Sequence, residues 1–515
     1  MSNIPFVLII LDGWGLAPPN RGNAVTLAKT PGMNSLWEKY PHSTLVAYGE
    51  KVGLPDGQDG NSEAGHMNLG AGRIVKQDSV YIAEDIKDRT FFKNTAFREA
   101  IKHLRKYKTK LHLMGLLSGN QSAHMSPEHL YALLELAKRE GLDPVILHLF
   151  TDGRDSSQHA AINLLKKLEA SFKNKEKIAT ISGRFYAMDR KKVWRRIEKV
   201  YNAMVLGEGE RAKSAEGAIV RAYNRGQTDE FIPPTVIERN GKLNGLIQDN
   251  DIIFFFNLRS DRARELTKTF VQEHFSELNP GAFERKKMPK NIRFVAMTDF
   301  GPDLPHVLTA FPGRDVEKSL PMVLKGFRQL YIAESEKYAH ITYFFNGGYA
   351  DPVAGEKRIR IVSPNVDHYD DTPEMSAYEI TETVLKKIKQ KAFDFIAVNF
   401  ANPDMIGHTG NLKAGIKAVE VVDECIGKIV KEVLRKKGTA IVTADHGNAE
   451  EMINLETGEV DTKHSTNPVP FIVINQKLKI KKQKLKKGIL SDVAPTILKI
   501  MNLPQPPEMT GKSLI

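Results

Sequence analysis

Short apolar runs punctuate the chain, and few of them alternate with polar residues. FVLIIL (6–11), FDFIAVNF (393–400) and TAIVTAD (439–445) make one group; VILHLF (145–150), KIATIS (177–182) and DIIFFF (251–256) make another. Unalternated, β-rich runs separated by helical patterns predict parallel strands buried on both faces. The segments between them are amphipathic. SPEHLYALLELAKREG (126–141) predicts a helix with Ser126 as N-cap, Pro127 at its first position, Gly141 at its end and a buried stripe of Leu130, Leu133, Leu134 and Ala137. GIKAVEVVDECIGKIVKEVLRKKG (415–438) predicts a longer amphipathic helix closed by Gly438. A chain of 515 residues exceeds one ordinary core, so the pattern predicts an α/β protein of two domains.

The two groups of strands end differently. FVLIIL runs into Asp12, FDFIAVNF leads to Asp404, and TAIVTAD ends at Asp445-His446. The middle group runs instead into TDGRD, GRFYAMDR and NLRSDRAR, where arginines dominate. Ligands of open α/β sheets bind beyond the carboxyl ends of the strands. The pattern therefore predicts a carboxylate–imidazole site on one unit and an anion-binding edge on the other.

Composition narrows the class. The net charge of +12 owes much to KLKIKKQKLKK (477–487), with seven lysines and no interleaved aromatic residue, so it predicts attraction for anionic metabolites and no nucleic-acid partner. FVLIIL is too short to span a membrane and lacks a basic leader, and no run of ~18 apolar residues occurs, so no membrane partner is expected. A single cysteine, Cys425, excludes an internal disulfide and fits a reducing, cytoplasmic compartment, with the thiol an inert core group.

Asp12, Asp404, His408, Asp445 and His446 stand at or just beyond strand ends. His408 follows Asp404 by four residues, so one helical turn or a tight loop unites them. His464, in KHSTNPVP, adds an imidazole in a loop held by Pro468. Taken singly, each is more often a helix cap or a filler. As a set, carboxylates and imidazoles without cysteine suit Mn²⁺, Zn²⁺, Mg²⁺ or Co²⁺, and so many ligands predict two ions. Ser62 lies in DGNSEAGHMNLGAGR (59–73), read as a loop of small residues; Ala64 stands where the G-x-S-x-G elbow needs glycine. A hydroxyl bound to a dication loses much of its proton affinity, so no neighbouring base is required, and the small residues let a phosphate approach. Arg154, Arg184, Arg190, Arg259 and Arg262 cluster at the strand ends of the middle unit and predict a grip on a small polyanion, with Asp155 as acceptor for a hydroxyl. A phosphatase or phosphopentomutase with the same metal ligands and a different middle domain, and a non-catalytic metal- or anion-binding module, are the rival readings.

The stretches LDGWG, GNSEAGHMNLGAGR, TDGRD, SGRFYAMDR, RSDRAR, IAESEKY, NPDMIGHTG, TADHGNAE and HSTNPVP occur in one order along the chain. In that order and spacing the chain resembles the cofactor-independent phosphoglycerate mutases over its full length. The resemblance implies an alkaline-phosphatase-like, mostly parallel sheet domain formed by 1–77 and 311–515, with a phosphotransferase domain, 78–310, inserted. It implies a monomer with two Mn²⁺ that interconverts 3-phosphoglycerate and 2-phosphoglycerate in glycolysis and gluconeogenesis, through a phosphoserine and without bisphosphoglycerate. By matching positions, Asp404, His408 and His464 would hold one ion, and Asp12, Ser62, Asp445 and His446 the other. Lys337 would bridge the phosphate, and His124, Arg154, Asp155, Arg184, Arg190, Arg259 and Arg262 would grip the substrate. One stretch departs from the family's Asp-Gly-Gly-Val-His-Ser-His-x-x-His: here GNQSAHMSPEHL carries an extra residue and has Ser126 at the second imidazole position, with His124 and His129 aligned to the others.

Overall fold

The computed structural model describes residues 4–515 apart from 174, 239–240, 242, 244, 314, 367 and 477–484. Most of the lysine-rich segment 477–487 thus lies outside the described residues. The chain divides into two compact units, Met1–Gln77 with Arg314–Ile515, and Asp78–Gly313. Each is an α/β layer structure with its own apolar core.

The sheet of the first unit runs in the order Lys357–Ile361, Gln329–Glu334, Phe395–Phe400, Phe6–Leu11, Thr439–Thr443, Val469–Ile474, His42–Val46 and Gly488–Ile489. The first five are parallel, and Val469–Ile474 is antiparallel to both its neighbours. Every residue of Phe6–Leu11, Phe395–Phe400 and Thr439–Thr443 is buried, as unalternated apolar runs require. Parallel register brings the three carboxyl ends to one edge: Leu11 lies opposite Phe400, and Ile10 opposite Thr443. Asp12 follows its strand end directly, Asp445 comes after Ala444, and Asp404 lies in the helix Asn402–Gly407 that follows Phe400.

The second unit carries Val307–Phe311, Arg293–Thr298, Ile252–Phe255, Leu111–Leu117, Val145–Thr151, Lys177–Gly183, Thr235–Ile237 and Glu210–Ala212 in that order. Six are parallel in sequence across the sheet, and Thr235–Ile237 is antiparallel to Lys177–Gly183. Here too the loops that follow Leu117, Thr151, Gly183 and Phe255 leave one edge.

The six expected strands are all present. The expected helices are Pro127–Arg139 and Leu412–Arg435. The first begins at Pro127 as read, but the Ser126 side chain makes no cap hydrogen bond. The second begins before Gly415, because the Asn411 side chain accepts from the Ala414 N–H and caps an earlier turn. Cys425 is buried in that helix, and burial pushes its thiol up to about 11. Among the described residues no helix is long and apolar enough to cross a membrane.

Candidate active site

Ser62 does not sit in a loop. It is the first residue of the helix Ser62–Ala71, where Asn61 is the N-cap and its side chain accepts from the Ala64 N–H. The glycines there serve close packing of the protein on itself: a Cβ at Gly65 would lie 2.6 Å from the Asp445 carbonyl oxygen. Gly13, at φ +74°, plays the same part beside Asp12, since a Cβ there would lie 2.7 Å from the Asp404 Cα. Small residues thus let three separate segments converge on one hydroxyl.

The Ser62 Oγ accepts from the Lys337 Nζ at 2.7 Å, donates to Asp12 Oδ1 at 3.2 Å, and lies 2.9 Å from His446 Nε2. Lys337 also reaches Asp12 Oδ1 and Asp404 Oδ2, each at 2.6 Å. It comes from the short helical turn Ser335–Lys337 after the strand Gln329–Glu334. Around this centre the candidate ligands form two trios, Asp12 with Asp445 and His446, and Asp404 with His408 and His464. The first trio is wholly buried; in the second, Asp404 is buried, His464 half-buried and His408 exposed. His408 follows the helix Asn402–Gly407, so one turn holds its Nε2 at 3.3 Å from Asp404 Oδ1. His464 reaches the same oxygen at 3.2 Å from a loop.

The electrostatics show what the cluster wants. Burial opposes the Lys337 charge, yet Asp12, Asp404 and Asp445 hold its ammonium well above the usual lysine range. Burial likewise opposes the charge of His446, but Asp445, Asp12 and Asp404 push it up to about 10. Burial raises Asp12 and Asp404, and Lys337 and the imidazoles outweigh it and keep both carboxylates ionised. For His464 burial and the charge of His446 win, and its pKa falls to about 4.

Orientation matters as much as charge. His408 Nδ1 donates to the Thr462 carbonyl at 2.8 Å, and His446 Nδ1 points at the Gly447 carbonyl at 3.3 Å. Each Nε2 therefore turns its lone pair toward carboxylate oxygen, an arrangement that calls for a proton or a metal ion between them. Buried carboxylates, imidazoles tied back through Nδ1 and a serine oxygen fit hard or borderline divalent cations.

Several residues beyond the expected set complete this centre. Asn399 Nδ2 donates to Asp12 Oδ2 at 2.7 Å and to His66 Nε2 at 3.0 Å. His66 Nδ1 lies 3.0 Å from the Ser62 carbonyl and 3.1 Å from Asp445 Oδ2. Asn448 Nδ2 donates to Asp404 Oδ1 at 2.9 Å, and Glu450 accepts from the Gly15 and Asn448 N–H groups. Asn399 had a signal in the sequence, as the lone polar residue inside the apolar run FIAVNF.

In the second unit the loops past three strands bring the cations together. Arg184 is buried, and its Nη1 meets Asp152 Oδ1 at 2.5 Å and Asp155 Oδ1 at 3.2 Å. Burial works against its charge, but Asp155 and Asp152 raise its pKa. Arg262, which donates to the Met188 carbonyl, is pushed down to about 10 by burial and then by Arg184 and Arg190. Arg190 pairs with Asp261, Arg259 lies 3.5 Å from the same carboxylate, and Arg154 lies 3.5 Å from Glu230. His124 is buried, and burial followed by Arg259, Arg184, Arg262 and Arg190 depresses its pKa well below the ordinary value. His129 lies buried in the helix Pro127–Arg139 and falls to about 4 through burial. Mutual repulsion among the arginines marks a place suited to an anion. Asp155 accepts from the Ser122 hydroxyl through Oδ2 and meets Arg184 through Oδ1.

A sequence model of the metalloenzyme superfamily matches residues 4–505. The 2,3-bisphosphoglycerate-independent phosphoglycerate mutase of Clostridium perfringens strain SM101 is 48% identical over 519 aligned positions, covering 100% of both chains. That of Acetivibrio thermocellus is 47% identical, covering 99% of this chain and 98% of its own. A crystal structure of Leishmania mexicana phosphoglycerate mutase at low cobalt concentration superimposes with a TM-score of 0.81 at 29% identity, covering 100% of this chain and 98% of that one.

Proposed function

Because the chain belongs to the 2,3-bisphosphoglycerate-independent phosphoglycerate mutase family, we propose that it interconverts 3-phosphoglycerate and 2-phosphoglycerate through a phosphoserine on Ser62. One observation carries this reading: the Ser62 hydroxyl lies within hydrogen-bond reach of Lys337, Asp12 and His446 at once, between two trios of ligand-type side chains. Asp404, His408 and His464 would hold one divalent cation, and Asp12, Ser62, Asp445 and His446 a second. Bound there, the cations would supply Lewis-acid chemistry, easing loss of the serine proton and neutralising phosphate charge.

The chain's own groups do the rest. Lys337 donates to the Ser62 oxygen and so stabilises negative charge as it develops there, Asp12 Oδ1 accepts from the hydroxyl and lies in reach of the departing proton, and His446 Nε2, 2.9 Å from the same oxygen, would serve as a cation ligand. Ser62 attacks phosphorus in line with the substrate oxygen, which leaves as the hydroxyl of glycerate. Arg154, Arg184, Arg190, Arg259 and Arg262, with Asp155 and His124, grip the carboxylate and hydroxyls of the acid while it reorients. The other hydroxyl then takes the phosphoryl group back. Catalysis is positioning plus charge neutralisation throughout.

The family likeness also supports Mn²⁺ among Mn²⁺, Co²⁺, Zn²⁺ and Mg²⁺, a role in glycolysis and gluconeogenesis, a cytoplasmic location, and a monomer with the domain of 78–310 as a phosphotransferase insertion. An assay with 3-phosphoglycerate and Mn²⁺, without bisphosphoglycerate, tests the reaction. Formation of 2-phosphoglycerate is expected; release of free phosphate alone, or no turnover, contradicts the proposal.

A further inference from the structure

The loop that joins the strand Leu111–Leu117 to the helix Pro127–Arg139 contains a buried hydroxyl that the steps above do not use. Ser122 Oγ donates to Asp155 Oδ2 at 2.7 Å and accepts from the His124 N–H at 3.2 Å. One side chain therefore ties together two candidate substrate-binding residues from different loops. The tie continues inward. Asp155 Oδ1 meets Arg184 Nη1, and Arg184 Nη1 also meets Asp152 Oδ1. Asp152 Oδ2 accepts from Ser118 Oγ at 2.5 Å, and Asp152 Oδ1 accepts from the Arg154 and Asp155 N–H groups at 3.2 Å each. The His124 carbonyl is held in turn by the Leu258 N–H at 2.7 Å.

This chain of contacts fixes four groups yet leaves two nitrogens unused. His124 Nδ1 and Arg184 Nε are buried and have no hydrogen-bond partner among the described residues. Buried nitrogens of that kind are costly unless a ligand completes them. Their positions depend on the contacts that anchor the rest of each residue, and Ser122 supplies one to the His124 backbone and one to the carboxylate beside Arg184.

We propose that Ser122 is a positioning residue that sets how tightly the acid is retained, by clamping Asp155 and the His124 backbone into one acceptor–donor frame for a hydroxy acid. The proposal rests on the mutase reading. Its consequence concerns the fate of the phosphoserine. When glycerate stays, its hydroxyl attacks phosphorus, the bond to Ser62 Oγ breaks, and 2-phosphoglycerate forms. When glycerate leaves early, water attacks the same phosphorus, the same bond breaks, and inorganic phosphate forms with Ser62 restored. Loosening the frame shifts this partition toward water without touching the groups at Ser62.

The test is to measure free phosphate and 2-phosphoglycerate together, from full-length protein with Mn²⁺ and 3-phosphoglycerate. Ser122→Ala is expected to raise the ratio of phosphate to 2-phosphoglycerate about tenfold, the worth of one hydrogen bond to a charged group. Ser122→Cys keeps the size but donates poorly and is expected to move the ratio the same way, so the test survives a folding failure of the alanine variant. Ser122→Thr keeps the hydroxyl and is expected to restore the ratio toward wild type. An unchanged ratio in both the alanine and cysteine variants overturns the role of Ser122 while leaving the mutase reading intact. A wild-type protein that makes no 2-phosphoglycerate overturns the mutase reading itself.

Discussion

Most candidate residues of the first unit are packed away from water, His408 being exposed and His464 half-buried, whereas most arginines of the second unit are more open to solvent. Ser62 is 6% exposed, and Asp12, Asp445 and His446 are fully buried. Arg154 and Arg190, by contrast, have side chains 53% exposed, and that of Arg259 is 36% exposed. Charge runs the opposite way in each. Three carboxylates around one lysine make a setting that favours cations, and they push the pKa of His446 up to about 10 against its burial. The arginines make a setting that favours an anion, and solvent reaches most of them. A buried carboxylate cannot be left unpaired, so the first cluster must be built into the fold, whereas the second can adapt to its ligand. Arg184 is the exception, buried and held by Asp152 and Asp155 like a residue of the first cluster.

The comparison can be broken most severely at Ser62. Ser62→Ala is expected to lower turnover by more than about 10⁴-fold in the coupled assay, a loss that exceeds any fall in metal content found by elemental analysis, because three candidate ligands of that cation remain. Next comes metal removal. Exhaustive chelation is expected to abolish activity and Mn²⁺ to restore it; full activity with no detectable metal would contradict the reading. Metal affinity should climb with pH. Carboxylates raise the pKa of His408 and His446, so protons compete with metal at and above the ordinary histidine range, and they compete harder as pH falls. Titrations of metal-free protein at pH 6 and pH 8 check the sign. Asn399→Ala, which frees Asp12 Oδ2, should weaken metal binding about 10–100-fold.

The second cluster should respond by degree of burial. Arg184→Ala is expected to lower kcat/KM by about 10–100-fold, because it removes charge-assisted bonds in a dry site. Arg190→Ala, at an exposed pair with Asp261, should cost less than about tenfold. Equal losses at the two positions would erase the distinction between a built and an adaptable grip.

Much of this was legible in the sequence because buried parallel strands need unbroken apolar runs, and such runs end where ligands bind. FVLIIL, FDFIAVNF and TAIVTAD located one edge, and the residues after them converge there. The helix that begins at Ser62 was less legible. Gly60, Gly65 and Gly70 suggested a loop, whereas Asn61 caps a helix and the glycines admit neighbouring backbone. His66, Asn448 and Ser122 act through contacts with segments elsewhere in the chain, which no local pattern reveals, whereas Asn399 stands out as the polar residue inside FIAVNF. The antiparallel strand Val469–Ile474 likewise owes its place to pairing with Thr439–Thr443 and His42–Val46. TDGRD was legible as an arginine motif, but Asp152, which holds Arg184 and the Arg154 N–H, was not separated from it.

The most direct measurement is to quench the protein in acid during turnover of 3-phosphoglycerate with Mn²⁺ and map any added phosphoryl group by mass spectrometry. The account predicts one phosphoryl group on Ser62, lost together with activity in Ser62→Ala. A phosphoryl group on another side chain, or undiminished 2-phosphoglycerate formation by Ser62→Ala, would contradict it.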